Sequence, residues 1–285
     1  MEFRALHRRF GAEVVGVDLG NVGDAEFEQV RAGFERYSVL LFRDQDITVE
    51  HQVDFSARFG PLEDALSHLG DSGAGRKIAN IANVDERGSV RDPQERAMLS
   101  RKANGLWHTD SSFKAVPALA SLLRAVRIPP QGGETEFVST RAAYADLPGD
   151  MRDRAQTLVA VHSYAHSRAQ IAPNLLGPEL EAKLPPVRRP LVYTHPRSGA
   201  RSLYLASHIR EVEGMALEEG RALVAELVAF STAPERIYRH QWRLGDLVMW
   251  DNRATMHRGR TWDAQRYPRV MHRTTISDTS AALAA

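Results

Sequence analysis

Cysteine is absent from the 285 residues. That excludes disulfides, thiolate-bound metals, iron–sulfur clusters and a thiol nucleophile together. Any metal must therefore be held by His, Asp or Glu. No apolar run approaches the ~20 residues of a membrane-spanning helix. The stretch 1–14 lacks the apolar core of a signal peptide, so the expected compartment is the cytoplasm. An excess of one charge is lacking too: 37 Lys and Arg stand against 36 Asp and Glu. With a formal net charge of +1, no global field recruits nucleic acid or a membrane surface. Repeats, low-complexity segments and clean linkers are also missing, which predicts a single domain over 1–285.

What is present is patterned. Val15, Val17 and Leu19 alternate through 12–19, predicting a strand with one face on a core. Phe27, Val30 and Phe34 recur at helical spacing over 24–37. Val39-Leu40-Leu41-Phe42 predicts a buried strand, and Thr48 caps a helix running to Phe59. From 63 to 103 the apolar period dissolves, apart from a short strand at 78–84. A polar connection of that length reads as an active-site lid. Strands follow at 118–128 and 134–138, around the turn Pro129 to Gly133, then a helix capped by Thr140 and another ending near Thr157. Strands are predicted at 191–194, 202–206, 238–242, 247–250 and 270–276. The best helix is 216–230, with Leu217, Val224, Leu227 and Val228 on one face. The tail 277–285 is expected to fray. Many short strands with a few helices predict a mainly β jelly roll wrapped by helices.

Chemistry concentrates at Trp107-His108-Thr109-Asp110. In a strand, positions i and i+2 share a face, so the imidazole and the carboxylate converge. Far along the chain, Trp250-Asp251-Asn252-Arg253 leads to His257. A third ligand there makes two His and one carboxylate, the facial set of non-haem Fe(II) oxygenases, which leaves three positions open on the metal. Arg269 and Arg273, four apart, share a face of an extended strand, and a guanidinium fork suits a carboxylate. His7, His51, His162, His166, His195, His240 and His272 have no partner at metal spacing and read as structural.

Asn104-x-x-Trp107-His108-Thr109-Asp110, Gly132-Gly133-Glu134-Thr135, Trp250 to Arg253, His257 and Arg269-x-x-x-Arg273 appear in that order. Together they resemble the taurine / 2,4-dichlorophenoxyacetate dioxygenase family of Fe(II)/2-oxoglutarate enzymes, over nearly the whole chain. The local sequences around NVDERGSV, WHTDSSF and GDLVMWDNR are closer to the phenoxyacetate branch. The resemblance implies a double-stranded β-helix, the cupin-like jelly roll, and assembly as dimer to tetramer. It implies that His108, Asp110 and His257 bind Fe(II), which reacts with 2-oxoglutarate and O₂ as co-substrates. Thr135 and Arg269 would hold the distal carboxylate of 2-oxoglutarate, with Trp250 beside the metal. Arg273 would face a small anionic substrate, with Asn104 near it. His68, Lys77, His208 and Arg210 are further candidates for substrate contact.

The reaction this implies is hydroxylation of an aryloxyacetate next to its ether oxygen, releasing phenol and glyoxylate with succinate and CO₂. The same chemistry on taurine or another alkylsulfonate, a sulfate ester or a natural aromatic acid is the alternative. A zinc hydrolase and a non-catalytic jelly-roll binding protein are the readings from other classes.

Overall fold

The computed structural model describes residues 1–65, 77–280 and 283. In chain order its elements are β1 (Glu2–Ala5), β2 (Ala12–Val15), α1 (Asp24–Tyr37), β3 (Val39–Phe42), α2 (Val49–Ala57), β4 (Ala79–Ala82) and α3 (Arg96–Lys102). Then come β5 (Ala118–Arg127), β6 (Thr135–Ser139), α4 (Thr140–Asp146), α5 (Gly149–Gln156), β7 (Val159–His162), α6 (Tyr164–Ala169) and α7 (Pro178–Lys183). The rest are β8 (Val187–Pro190), β9 (Val192–Thr194), β10 (Arg201–Leu203), β11 (Ile209–Val212), α8 (Leu217–Ser231), β12 (Ile237–His240), β13 (Leu247–Asp251), β14 (Thr255–Gly259) and β15 (Val270–Ser277).

A seven-stranded sheet, ordered β1-β2-β3-β13-β5-β15-β4, faces a three-stranded sheet ordered β12-β6-β14. The chain steps from β13 across to β14 and back to β15, the winding of a jelly roll. β3 shows why its apolar run is continuous. Leu40 and Phe42 pack outward with Phe27, Val30 and Phe34 of α1 and Phe55 of α2. Val39 and Leu41 point inward, onto Phe137 of β6 and Trp250 of β13. Both faces are covered, so both sets must be apolar. The outer face of the small sheet, through Val138 and Met256, packs on Leu147, Leu223 and Leu227.

Local signals fix the ends of the two helices that cover the large sheet. Thr48 accepts the backbone N–H of His51 at 3.2 Å, capping α2. The Glu26 side chain reaches back to the N–H of Gly23 at 3.2 Å, and α1 stops at Ser38, which adopts φ +63°.

Several expectations are corrected. In β2 the buried residues are Ala12 and Val14, while Val15 and Val17 are only half-buried, so the inward face is the opposite one. The strand is short and the chain turns at Gly16, φ +80°, which breaks the alternation. On α8 the buried face is Gly220, Leu223, Leu227 and Ser231, and Leu217 is 45% exposed at the helix start. Ser139, not Thr140, caps α4, accepting from the N–H of Ala142 at 3.1 Å. Helix α3 lies inside the segment read as lid. The tail is partly anchored: Leu283 is buried against Tyr193 and Tyr204, and its carbonyl accepts from Arg189 at 3.0 Å. The expected contact at His68 lies outside the described residues.

His162 on β7 is fully buried, and burial pushes its pKa down to about 3. An unfolded imidazole titrates near ~6.5. Between those values the unfolded chain binds the extra proton, so acid weakens the fold. This one side chain should destabilise the protein by about 2 kcal/mol at pH 5 relative to neutral pH. Urea midpoints for wild type and His162→Asn should therefore diverge above pH 6 and converge toward pH 5; parallel curves would refute the burial argument.

Candidate active site

His108 and His257 form an isolated antiparallel bridge. Each donates its backbone N–H to the other's carbonyl, at 3.0 and 2.9 Å. Directly opposed residues put their side chains on the same face, and the ring centroids lie 4.2 Å apart. His257 sits in β14; His108 and Asp110 do not form the regular strand expected of them. Asp110 lies in a turn, followed by Ser111 at φ +52°, and its backbone N–H donates to Asn252 Oδ1 at 3.1 Å. The carboxylate still reaches both rings: Oδ1 is 3.8 Å from His108 Nε2 and Oδ2 is 3.6 Å from His257 Nε2. One ligand atom from each of the three residues lies within 4.8 Å of the others, and all three residues are buried.

The donors carry the charges a metal needs. His108 Nδ1 donates to the carbonyl of Leu106 at 2.8 Å, which leaves the Nε2 lone pair facing the site. Burial pushes the pKa of His108 down and that of His257 further down, so both imidazoles are neutral. Burial alone would raise the pKa of Asp110, but the Arg273 guanidinium, with the hydrogen bond from Ser121, outweighs it and holds the carboxyl far below its ordinary range. Three buried N and O donors with this protonation fit a divalent metal of the iron type.

A chain of hydrogen bonds sets the carboxylate, and here the sequence reading was incomplete. Trp250 Nε1 donates to Asn252 Oδ1 at 3.1 Å, and Asn252 Nδ2 donates to Ser121 Oγ at 3.0 Å. Ser121 then donates to Asp110 Oδ2 at 2.8 Å. Ser121 on β5 had no signal beyond a hydroxyl in an apolar strand. Trp250 also lies 4.6 Å from the His257 ring.

Above His108 and Asp110 opens a cavity. Asn104, Lys77, His208 and Arg273 line it, with Phe113, Tyr164 and Arg168, which sequence reasoning did not single out. Phe113 was legible only as the end of the His-x-Asp motif. Arg273 Nη1 donates to Asp110 Oδ1 at 2.7 Å, while its Nε is buried without a partner among the described residues. Lys77 is tied to Asp64 and to the carbonyl of Leu62, both at 2.8 Å. Arg210 is a correction. It borders a different, largely apolar groove beside α8 and pairs with Glu211 at 2.7 Å. His208 lies in a turn before β11, and β11 shifts register between Ile209 and Glu211, so strand alternation does not carry from 208 to 210.

Thr135 and Arg269 lie outside that cavity wall, both buried. Among the described residues no carboxylate or other acceptor takes the Arg269 guanidinium, which lies 5.4 Å from the Trp262 ring. Burial alone pushes its pKa down to about 10. Gly133, at φ +72°, makes room: a Cβ there would stand 3.2 Å from Arg269 Cδ and Nε. Thr135 Oγ1 accepts from Trp242 Nε1 at 3.0 Å, which leaves its own proton for another acceptor. A buried cation without a counter-charge is costly, so this pair fits an incoming carboxylate such as that of 2-oxoglutarate.

A jelly roll that brings two neutral histidines and an ionised aspartate together, with His108 and Asp110 on the wall of a cavity, belongs to the class of non-haem iron oxygenases. The chain matches the model described as "Taurine catabolism dioxygenase TauD, TfdA family" over residues 2–275, and it belongs to that family of 2-oxoglutarate-dependent dioxygenases. It is 39% identical, over 96% of both chains, to the alpha-ketoglutarate-dependent 2,4-dichlorophenoxyacetate dioxygenase of Cupriavidus pinatubonensis. The (S)-phenoxypropionate/alpha-ketoglutarate-dioxygenase of Sphingobium herbicidovorans is 34% identical, with 97% of this chain and 95% of that one covered. A solved structure of AAD-2 in complex with Mn(II) and N-oxalylglycine superposes with a TM-score of 0.91 at 39% identity, covering 98% of both chains. No helix among the described residues is long and apolar enough to cross a membrane.

Proposed function

We propose that the protein hydroxylates an aryloxyacetate, of the 2,4-dichlorophenoxyacetate type, at the carbon between the ether oxygen and the carboxylate. The observation that carries this reading is Arg273, a guanidinium with unspent donors on the cavity wall, one hydrogen bond from Asp110. The phenoxyalkanoate relatives support it.

His108, Asp110 and His257 would hold the iron, and Thr135 and Arg269 the distal carboxylate of 2-oxoglutarate. When bound, iron with 2-oxoglutarate and O₂ supplies the oxidation that turns one C–H into C–OH, with succinate and CO₂ formed alongside. The chain's own residues position the reactant. Arg273 receives the substrate carboxylate with a bidentate fork. That would turn the adjacent methylene toward the His108 and Asp110 side of the cavity and the ring toward Phe113 and Tyr164, whose rings stand 4.5 Å apart. Asn104, Lys77 and His208 supply further polar contacts from the wall. The product is a hemiacetal; its hydroxyl proton passes to the leaving oxygen, the C–O bond breaks, and phenol and glyoxylate separate.

The test combines binding and turnover. Anaerobic Fe(II) protein should develop a weak visible charge-transfer band with 2-oxoglutarate, and 2,4-dichlorophenoxyacetate should perturb it. Under O₂, phenol and succinate should appear in equal amounts, faster than with taurine or an alkyl sulfate. Arg273→Gln should raise the phenoxyacetate KM about a hundredfold, the cost of a lost charged pair, while the 2-oxoglutarate KM holds. Succinate release driven best by a sulfonate or a sulfate ester would replace the proposed substrate.

A further inference from the structure

Ser112 stands between two buried histidines. Its Oγ lies 3.0 Å from Nδ1 of His208 and 3.0 Å from Nδ1 of His162. Ser112 and His162 are fully buried, and His208 is 3% exposed, on the cavity wall. Neither Ser112 nor His162 belongs to that wall.

A hydroxyl has one proton, so Ser112 cannot donate to both rings. His162 resolves the direction. Its Nε2 is buried with no partner among the described residues. A proton there would be an orphaned buried N–H, the rarest kind of unpaired polar group. The arrangement that leaves no orphaned donor on this ring puts the proton on Nδ1, with His162 donating to Ser112 Oγ. Ser112 in turn gives its own proton to Nδ1 of His208. That nitrogen is an acceptor, so the ring carries its single proton on Nε2, the atom left for the cavity. Phe113, with ring centroid 4.7 Å away, and Tyr164, at 6.5 Å, hold the ring's orientation.

We propose that Ser112 and His162 are positioning residues that lock His208 as a fixed N–H donor toward an acceptor oxygen of the bound substrate anion. An unlocked ring would present a lone pair to that oxygen part of the time, and two acceptors repel. His208 thus adds a second, neutral donor to the charge of Arg273, and a ligand without an acceptor at that place loses it. This rests on the reading of the cavity as the substrate site.

The tautomers can be read directly. Protein labelled with ¹⁵N-histidine, loaded with diamagnetic Zn(II) and 2-oxoglutarate, gives long-range ¹H–¹⁵N spectra that distinguish protonated from bare ring nitrogens. The His208→Gln and His162→Asn variants identify the two signals by their loss. We expect the proton on Nε2 of His208 and on Nδ1 of His162; the reverse pattern overturns the proposal. In turnover, Ser112→Ala should raise the 2,4-dichlorophenoxyacetate KM about tenfold, one hydrogen bond to a charged group, with kcat and the 2-oxoglutarate KM nearly unchanged. His162→Asn, whose amide N–H stands near the place of Nδ1, should keep the wild-type KM, whereas His162→Phe should match Ser112→Ala. Equal KM values for the Asn and Phe variants would overturn the relay, even where Ser112→Ala does not fold. Wild-type protein inert toward phenoxyacetates but with the expected spectrum would sink the substrate reading and leave the relay standing.

Discussion

Asp110→Asn should abolish Fe(II) retention and cut turnover by about a thousandfold, equivalent to ~4 kcal/mol of lost metal assistance. The amide is nearly the same size, so packing survives, but it has no charge to offer. It also carries a donor on one side, where both existing neighbours, Ser121 and Arg273, donate. One of those contacts must therefore break, and Arg273 loses its counter-charge. Equilibrium dialysis of iron, with circular dichroism to confirm the fold, reads both effects. A milder companion is Ser121→Ala, which removes one hydrogen bond behind the carboxylate and should weaken iron binding about ten- to a hundredfold. Iron retained by Asp110→Asn at wild-type affinity would mean that the metal lies elsewhere.

Why the triad was legible while its support was not is a matter of range. His108 and Asp110 carry their meaning in two side chains one residue apart, and His257 follows a recognisable Trp-Asp-Asn-Arg stretch. The geometry that joins them is different from strand alternation, because the convergence comes from a bridge to β14 and a turn at Asp110. Sequence periodicity also served where an element is covered by a helix or a second sheet, as for α1, α2 and β3. It failed for β7, β8 and β11. These strands are four residues each, and β8 and β11 mix charge with apolar side chains, as in Val187-Arg188-Arg189-Pro190. Four residues give too few alternations to exceed chance. Ser112 and His162 stand 50 positions apart, and only tertiary packing brings them to 3.0 Å. Arg210, two positions after His208, borders another groove because β11 shifts register between Ile209 and Glu211, which the residue types do not reveal.

Arg269→Met should move stability and function in opposite directions. The guanidinium is buried against Trp262 and Gly133, with no carboxylate among the described residues to neutralise it. Its depressed pKa, about 10, has burial as its cause and no neighbouring charge of either sign. The fold therefore carries an uncompensated cation that only a bound anion repays. Methionine has a similar length and no charge, so the ligand-free protein should gain about 1–3 kcal/mol of stability, as when buried ionic groups are replaced by apolar ones. The same change removes the bidentate partner of the 2-oxoglutarate carboxylate, and its KM should rise at least about a hundredfold. The loss should also uncouple the two quantities in one assay. Saturating 2-oxoglutarate should raise the melting temperature of metal-loaded wild type, since a ligand that binds only the native state stabilises it, and should leave Arg269→Met unmoved. Lysine at this place restores charge but not the fork, and should recover part of the affinity while surrendering the gain in stability. If Arg269→Met melts lower than wild type and still responds to 2-oxoglutarate, the arginine is a packing element and the distal carboxylate is held by other groups. That pattern would leave the iron triad untouched, because Arg269 makes no contact with His108, Asp110 or His257 in the hydrogen-bond and ion-pair network of the described residues.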